Sequence, residues 1–218
     1  MISPKLYKSS QTYDFLIRLL GYERGIDRFL RNLAIETASE CRILDAGCGT
    51  GLLGLHFLER FPNATLVATD LEPNFLHATQ NNAERRGIDP IRMTLGTSDI
   101  SAPQNLTTLD GATRELEEAS FNVICTGAVL GYADDTERSV RSLLRLLVPG
   151  GYLINVEMNE GLVGRFVSSR YHYRNISLAR MSRVIEDEGC EVSRRKLRLT
   201  HLPANLTRVG IVARKQAG

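Results

Sequence analysis

Between residues 45 and 51 the chain reads Asp45-Ala46-Gly47-Cys48-Gly49-Thr50-Gly51. An apolar run, Arg42–Ala46, leads into it, and an amphipathic helical pattern follows to about Phe61, ended by Pro62-Asn63. A strand that must turn at once into a helix needs backbone freedom, and glycine lets the chain turn sharply and approach a ligand closely. A phosphate-cradling loop of the GxxxxGK[ST] type is excluded, because no Lys follows. The dinucleotide pattern GxGxxG also fails, since Leu52 stands where its third glycine belongs. The acid discriminates further. Asp45, ionised at neutral pH, would repel a pyrophosphate at the helix N-terminus. A cation ~4 Å away would gain several kcal/mol at an effective dielectric near 20. The expected ligand therefore carries positive charge near the loop. The glycines also fit a bare strand–helix turn, and Asp45 also fits a cap on local backbone donors.

Short apolar runs alternate with helical patterns along the rest of the chain. Strands are expected at Arg42–Ala46, Thr65–Asp70, Arg92–Leu95, Phe121–Thr126 and Tyr152–Glu157. Pro73 suits the first turn of a helix and Gly87 its C′ position. Asp134 or Asp135 can cap a helix in which Val140, Leu143, Leu144 and Leu147 keep the 3.6 period, stopped by Pro149-Gly150-Gly151. Ile176–Asp187 reads as a helix with Gly189 just past its end. Glu191–Leu199 and Thr207–Lys215 read as two final strands forming a hairpin, with an antiparallel strand at the sheet edge. Arg114–Ala119 reads as a short helix, and Tyr13–Leu20 and Ile26–Ile35 as two helices outside the sheet. The fold class expected is α/β: a doubly wound, mostly parallel seven-strand sheet with an antiparallel C-terminal strand and an N-terminal helical cap. One domain over 1–218 is expected, with 1–40 as cap, 41–157 as cofactor-binding core and 158–218 as acceptor-side segment.

The run Ile43-Leu44-Asp45-Ala46-Gly47-Cys48-Gly49-Thr50-Gly51 resembles the first motif of the class I S-adenosylmethionine-dependent methyltransferases. Their cofactor carries a sulfonium, an ammonium and a carboxylate but no phosphate, which agrees with the charge argument. Asp70, 19 residues after Gly51 at a strand end, can accept both hydroxyls of a ribose. The resemblance gives it that role, sets Leu71 against the adenine, and gives Asp99, in Gly96-Thr97-Ser98-Asp99-Ile100, the adenine amino group. Asp70 and Asp99 also fit as turn or cap residues. Phe121–Gly127 resembles the fourth-strand motif, with Asn122 where many members have Asp, and Leu146–Gly151 the turn before strand five. The cofactor-binding set is then Asp45, Gly47, Cys48, Gly49, Gly51, Asp70, Leu71, Ser98, Asp99, Thr126 and Tyr13, with S-adenosylhomocysteine as product. Cys48 reads as a filler among glycines rather than a nucleophile.

Methyl transfer from a sulfonium needs donor and acceptor aligned ~3–3.5 Å apart, and a base only where the acceptor loses a proton. The loop after strand four, Thr126–Asp134, lacks the N/D-P-P-Y/F pattern of the family's adenine-N6 and glutamine methylators. It offers Tyr132 as an acceptor-facing residue. After strand five, His172 is the better base candidate, with His201 second; packing or surface roles fit each of the three. Arg165, Arg170 and Arg174 fit either an acidic acceptor or a solvated face. Tyr7 and Tyr13 fit a lid or interhelical packing. No set of carboxylates converges at strand ends, so no metal is expected.

The composition is globular: 43% hydrophobic, 24% charged, 27 Lys and Arg against 25 Asp and Glu. Disorder, collagen and coiled coil are excluded for the whole chain. The charge is too balanced to argue for nucleic acid or an anionic membrane. The early apolar stretch Phe15-Leu16-Ile17 stops at Arg18, far short of the ~18–20 residues of a span. The N-terminus reads without a secretory signal. Cys41, Cys48, Cys125 and Cys190 fit no metal knuckle or CxxC pair and read as reduced thiols in a cytoplasm. The expected activity is methyl transfer to O, N or C of a small-molecule acceptor. An RNA or protein methyltransferase and a non-catalytic cofactor-binding scaffold are the alternatives. No membrane partner is expected, and a homodimer is left open.

Overall fold

The computed structural model describes residues 21–38 and 40–217. Its elements, in chain order, are α1 (Tyr22–Arg31), β1 (Arg42–Ala46), α2 (Leu52–Arg60), β2 (Thr65–Asp70), α3 (Pro73–Arg85), β3 (Met93–Thr97), β4 (Asn105–Thr108), β5 (Thr113–Glu115), β6 (Phe121–Thr126), α4 (Thr136–Leu146), β7 (Leu147–Met158), α5 (Leu162–Arg170), α6 (Leu178–Asp187), β8 (Cys190–Lys196) and β9 (Arg208–Lys215). The strands form one sheet in the order β5-β4-β3-β2-β1-β6-β7-β9-β8. The run β3-β2-β1-β6-β7 is parallel. β9 lies antiparallel to both β7 and β8.

The α/β class, the parallel centre and the antiparallel C-terminal strand match the expectation. Four details differ. The sheet has nine strands rather than seven, because β4 and β5 add an antiparallel hairpin beyond β3. The helix expected at Arg114–Ala119 is absent: β5 covers Thr113–Glu115, and pairing with Asn105–Thr107 overrides the helix-forming Glu and Leu. The antiparallel strand is not at the edge either, since β9 inserts between β7 and β8. The second N-terminal helix starts earlier than expected, at Tyr22. Tyr13–Leu20 lies outside the described residues.

Successive strand residues face opposite sides, so the sheet needs cover on both. Ile43, Val123, Cys125, Ile154 and Val156 form one core with Phe29 and Leu30 of α1, Phe57 and Leu58 of α2 and Leu76 of α3. Leu44, Ile124, Leu153 and Ile211 form the other with Val140 and Leu143 of α4 and Met181 and Ile185 of α6. Each fully buried Leu or Phe contributes roughly 1.5–3 kcal/mol. These two layers hold the carboxyl ends of β1, β2, β3 and β6 in fixed register, and the loops that matter leave from those ends. Asn122, at the other end of β6, accepts from the Arg42 amide at 2.9 Å and ties β6 to β1.

Candidate cofactor site

The loop after β1 is held from three sides. The Gly47 and Cys48 amides both donate to the Thr69 carbonyl at 2.8 Å, fixing the loop to β2. From α3, the Thr79 hydroxyl donates to the Gly49 carbonyl at 3.0 Å and the Asn82 amide to the Thr50 carbonyl at 2.8 Å. Gly47 takes a left-handed φ of 72°, and a Cβ there would sit 2.4 Å from Val129 Cγ2, so no larger residue fits. A Cβ on Gly49 would meet nothing within 4 Å. The loop is thus packed at Gly47 and open at Gly49. Cys48 is buried with its thiol 3.5 Å from the Thr79 hydroxyl. Burial, then the nearby Asp70 and Asp45, push that thiol well above the usual range, which suits a filler and not a nucleophile.

Two acids flank the loop. Asp45 is 1% exposed. Its Oδ2 accepts from the Gly54 amide of α2 at 2.8 Å, so it does serve as a cap on a local donor. Its Oδ1 is buried without a partner. Burial raises its pKa to about 7, against the pull of the Gly54 amide and with a smaller push from Asp70. This corrects the assumption of a fully ionised Asp45 at neutral pH: without a cation beside it, the carboxyl is poised near half-protonation. Asp70, at the end of β2, accepts from the Gly49 amide at 2.9 Å through Oδ2 and from the Glu72 amide at 3.1 Å through Oδ1. Desolvation also raises its pKa above the usual carboxylate range. Both acids would gain from a nearby positive charge.

The other expected cofactor residues lie along the same edge. Ser98 follows β3, and its amide donates to the Asp70 carbonyl at 3.2 Å. Thr126 ends β6, one residue past the Asp45–Cys125 pair. Both hydroxyls are buried without a hydrogen-bond partner among the described residues, as is Asp45 Oδ1. Buried polar atoms are nearly always satisfied, and these three orphans lie on the edge of the sheet from which the glycine loop leaves. Leu71 is 62% exposed beside Asp70, open for contact with a planar ring. Asp99 is exposed, and its Oδ1 accepts from the Ser101 amide at 2.8 Å. Tyr13 and Tyr7 lie outside the described residues. Among the described residues, no three His, Cys, Asp or Glu side chains converge as a metal-holding group.

On the acceptor side, Tyr132 is half-buried, packs edge-on against Tyr173 with centroids 5.1 Å apart, and donates to the Tyr171 carbonyl at 3.4 Å. His172 is exposed in a left-handed turn, φ 54°. His201 is buried; its Nδ1 accepts from the Arg198 amide at 2.9 Å, and its ring meets Phe29 edge-on, which is a structural role. Arg174 donates to the Ala133 carbonyl and so braces the Tyr132 turn. Sequence reasoning missed the polar cluster under this turn. Glu157 is fully buried in β7, accepts from its neighbour's amide (Met158) at 2.7 Å, and takes a short hydrogen bond from the Tyr173 hydroxyl. Asn155, also fully buried, donates to Glu157 at 3.4 Å and to the Met181 sulfur at 3.2 Å. The available signal was an amide and a carboxyl, Asn155 and Glu157, alternating with apolar residues late in a buried strand.

A cavity of about 270 Å³ lined by Glu36, Thr37, Asn122 and Pro149 lies at the amino ends of the strands, away from the glycine loop. It contains none of the residues expected to hold the cofactor or face the acceptor.

Residues 44–153, half of the chain, match the methyltransferase domain family, and the chain belongs to that family. It is 32% identical over 157 residues to the demethylmenaquinone methyltransferase of Thermus thermophilus, covering 71% of this chain and 64% of that protein. It is 29% identical over 164 residues to a ubiquinone/menaquinone biosynthesis C-methyltransferase of Syntrophotalea carbinolica, covering 72% of this chain and 61% of that one. The chain thus spans less than two thirds of the length of these curated relatives. An O-methyltransferase family protein from Burkholderia thailandensis has a similar fold, with a TM-score of 0.74 at 17% identity over 94% of this chain and 58% of that one.

Proposed function

We propose that the glycine loop binds S-adenosylmethionine and that the chain transfers its methyl group to a small-molecule acceptor. The observation that carries this reading is the trio of buried, unpartnered polar atoms, Asp45 Oδ1, Ser98 Oγ and Thr126 Oγ1, around a loop flanked by two carboxyls of raised pKa. A phosphorylated ligand would add negative charge to that pair. A sulfonium nucleoside with a free amino group relieves it. In this reading Asp70 holds the ribose hydroxyls, Leu71 and Asp99 take the adenine, and Asp45 with Gly47, Cys48, Gly49 and Gly51 holds the amino-acid end. The cofactor, when bound, supplies an electrophilic methyl group. The chain's own work is to orient and to exclude water. Tyr132 and His172 stand on the acceptor side as the groups to test for proton transfer. The names of the relatives favour a quinone-like ring as the first acceptor class to try.

Titration calorimetry with S-adenosylmethionine, S-adenosylhomocysteine, NADH and ATP tests the cofactor. The sulfur nucleosides bind and the phosphorylated ones do not; the reverse order overturns the reading. Release of S-adenosylhomocysteine with hydroxylated quinones, other small molecules, RNA or protein then separates a small-molecule enzyme from the other methyltransferases. Binding with no turnover on any of them identifies a scaffold.

A further inference from the structure

Helix α5 is inside out. A surface helix ordinarily buries its apolar stripe and shows polar residues to water. The α5 residues turned inward are Gly164 and Ser168. Leu162 is 88% exposed and Phe166 74%, with Val163 and Tyr171 exposed beside them. The small inward face is enforced: a Cβ on Gly164 would lie 2.4 Å from the Asn159 carbonyl oxygen. The helix therefore has no room to roll its large residues inward.

The same edge carries a second apolar segment. β9 runs antiparallel to β7, with Arg208 opposite Met158, so the connection from β8 to β9 emerges where β7 ends. Asn159 joins the two segments, its amide donating to the Thr207 carbonyl at 2.8 Å and its side chain to the Leu206 carbonyl at 3.0 Å. Leu199, Leu202 and Leu206 are exposed in this connection. Of ten exposed large hydrophobic side chains among the described residues, seven belong to these two segments.

Charge is gathered there too. Residues 159–175 and 194–208 contain eight Lys and Arg and a single acid, Glu160. The whole chain is +2, so everything outside these 32 residues is net −5. Arg165, Arg170, Arg194, Arg195, Lys196 and Arg198 are exposed and make no salt bridge among the described residues. The near-neutral sequence total conceals a molecule with one basic, apolar edge and an acidic remainder.

We propose that this edge docks on an anionic lipid bilayer, with α5 lying in the interface, Leu162 and Phe166 inserted, and the arginines and Lys196 on lipid headgroups. Apolar tips among unpaired cations match that surface: headgroups supply the negative charge, and the acyl boundary accepts apolar side chains without a shaped partner. Each surface cation near an anionic leaflet contributes appreciably, and the acidic remainder turns this edge toward the membrane. Docking so placed would present the acceptor side of the sheet to lipid-borne molecules. The proposal needs neither cofactor nor turnover, so it stands or falls apart from the methyl-transfer reading.

The test is co-sedimentation of the full chain with vesicles of phosphatidylcholine alone or with about a third phosphatidylglycerol, at low and high salt. Binding is expected to be on the order of tenfold tighter to the anionic vesicles and to weaken with salt. Leu162→Ser with Phe166→Ser, and separately Arg165→Gln with Arg170→Gln, are each expected to weaken it on the order of tenfold, with circular dichroism and thermal unfolding unchanged. Equal binding to both vesicles, none to either, or variants that bind like the parent overturn the proposal. So does light scattering that shows a dimer which the Leu162→Ser/Phe166→Ser variant splits, since a second copy would then be the occupant of this face.

Discussion

The Gly49 amide donates to the Asp70 carboxylate over 2.9 Å, so the residue proposed to hold the ribose also fixes the turn that would hold the rest of the cofactor. Asp70→Ala removes the acceptor for both the Gly49 and Glu72 amides. Hydrogen bonds to charged groups are worth about 1.5–3 kcal/mol. S-adenosylmethionine affinity is therefore expected to fall by at least roughly tenfold. Asp70→Asn keeps an acceptor oxygen for the loop and should fall between parent and Ala. Calorimetry reads both, and an Ala variant within about twofold of the parent removes the ribose assignment.

Asp45 is expected to make stability, and the proposed cofactor binding, depend on pH. Its folded pKa, about 7, lies above the ordinary carboxyl value of 3.8. Between those values the folded chain holds a proton that the unfolded chain has released, so stability falls as pH rises from about 4 to 7 and levels off above. At about 1.4 kcal/mol per unit the whole change is at most about 4 kcal/mol. A cationic ligand pulls that pKa down, so binding near pH 6.5 should expel a proton and affinity should rise toward pH 8. Calorimetry in two buffers of different ionisation enthalpy counts the proton. Asp45→Asn should abolish both the release and this stability slope. A parent protein whose binding heat is independent of buffer sinks the linkage.

Gly54 and Asp45 were not paired by sequence reasoning, yet their contact decides a substitution. In a helix interior Ala is favoured over Gly by about 1 kcal/mol. A Cβ on Gly54 would lie 2.7 Å from Asp45 Oδ2 and 3.0 Å from Leu66 Cδ1. Overpacking a filled core costs about 1–3 kcal/mol, and Asp45 is buried. The contact wins: Gly54→Ala should be net destabilising by about 1–2 kcal/mol, lowering Tm by several degrees at roughly 2–4 °C per kcal/mol for a chain of this size. A raised Tm would show that Asp45 can move aside.

The parts of this molecule legible in the sequence are those governed by local rules. Runs such as Leu66–Ala68 and Val123–Cys125 announce strands because both faces of a central strand are buried. Asp135 caps α4 by accepting from the Arg138 amide at 3.1 Å, as its place before a helical pattern implied. Gly87 and Gly189, at φ 68° and 75°, sit just past α3 and α6. The hairpin of β4 and β5 was legible but overlooked: Asp110-Gly111 between threonine-rich runs is a hairpin signal, and Gly111 turns at φ 88°. The helix formers Glu115, Leu116, Glu117 and Glu118 hid it. What no local rule could show is long-range pairing. The insertion of β9 inside the sheet, the Gly54–Asp45 contact and the Tyr173–Glu157 bond all join residues whose meeting depends on the finished fold.

That last pair yields a prediction with a definite sign. Burial raises the Glu157 pKa, and the Tyr173 hydroxyl is the largest influence holding it down. A carboxyl with a raised folded pKa stabilises the chain least at high pH, where it must ionise in the core. Tyr173→Phe takes away the donor, raises that pKa further and extends the window of lost stability upward. The loss should be larger at pH 8 than at pH 5: the more the buried carboxyl ionises, the more the lost bond is a charge-assisted one, worth about 1.5–3 kcal/mol, rather than a neutral one, worth about 1 kcal/mol. Glu157→Gln, which never ionises, should make the same Tyr173→Phe change independent of pH. Thermal unfolding of the four proteins at the two pH values decides it. A Tyr173→Phe penalty that is equal at both values, or larger at pH 5, would show that the hydroxyl does not act on a titrating Glu157.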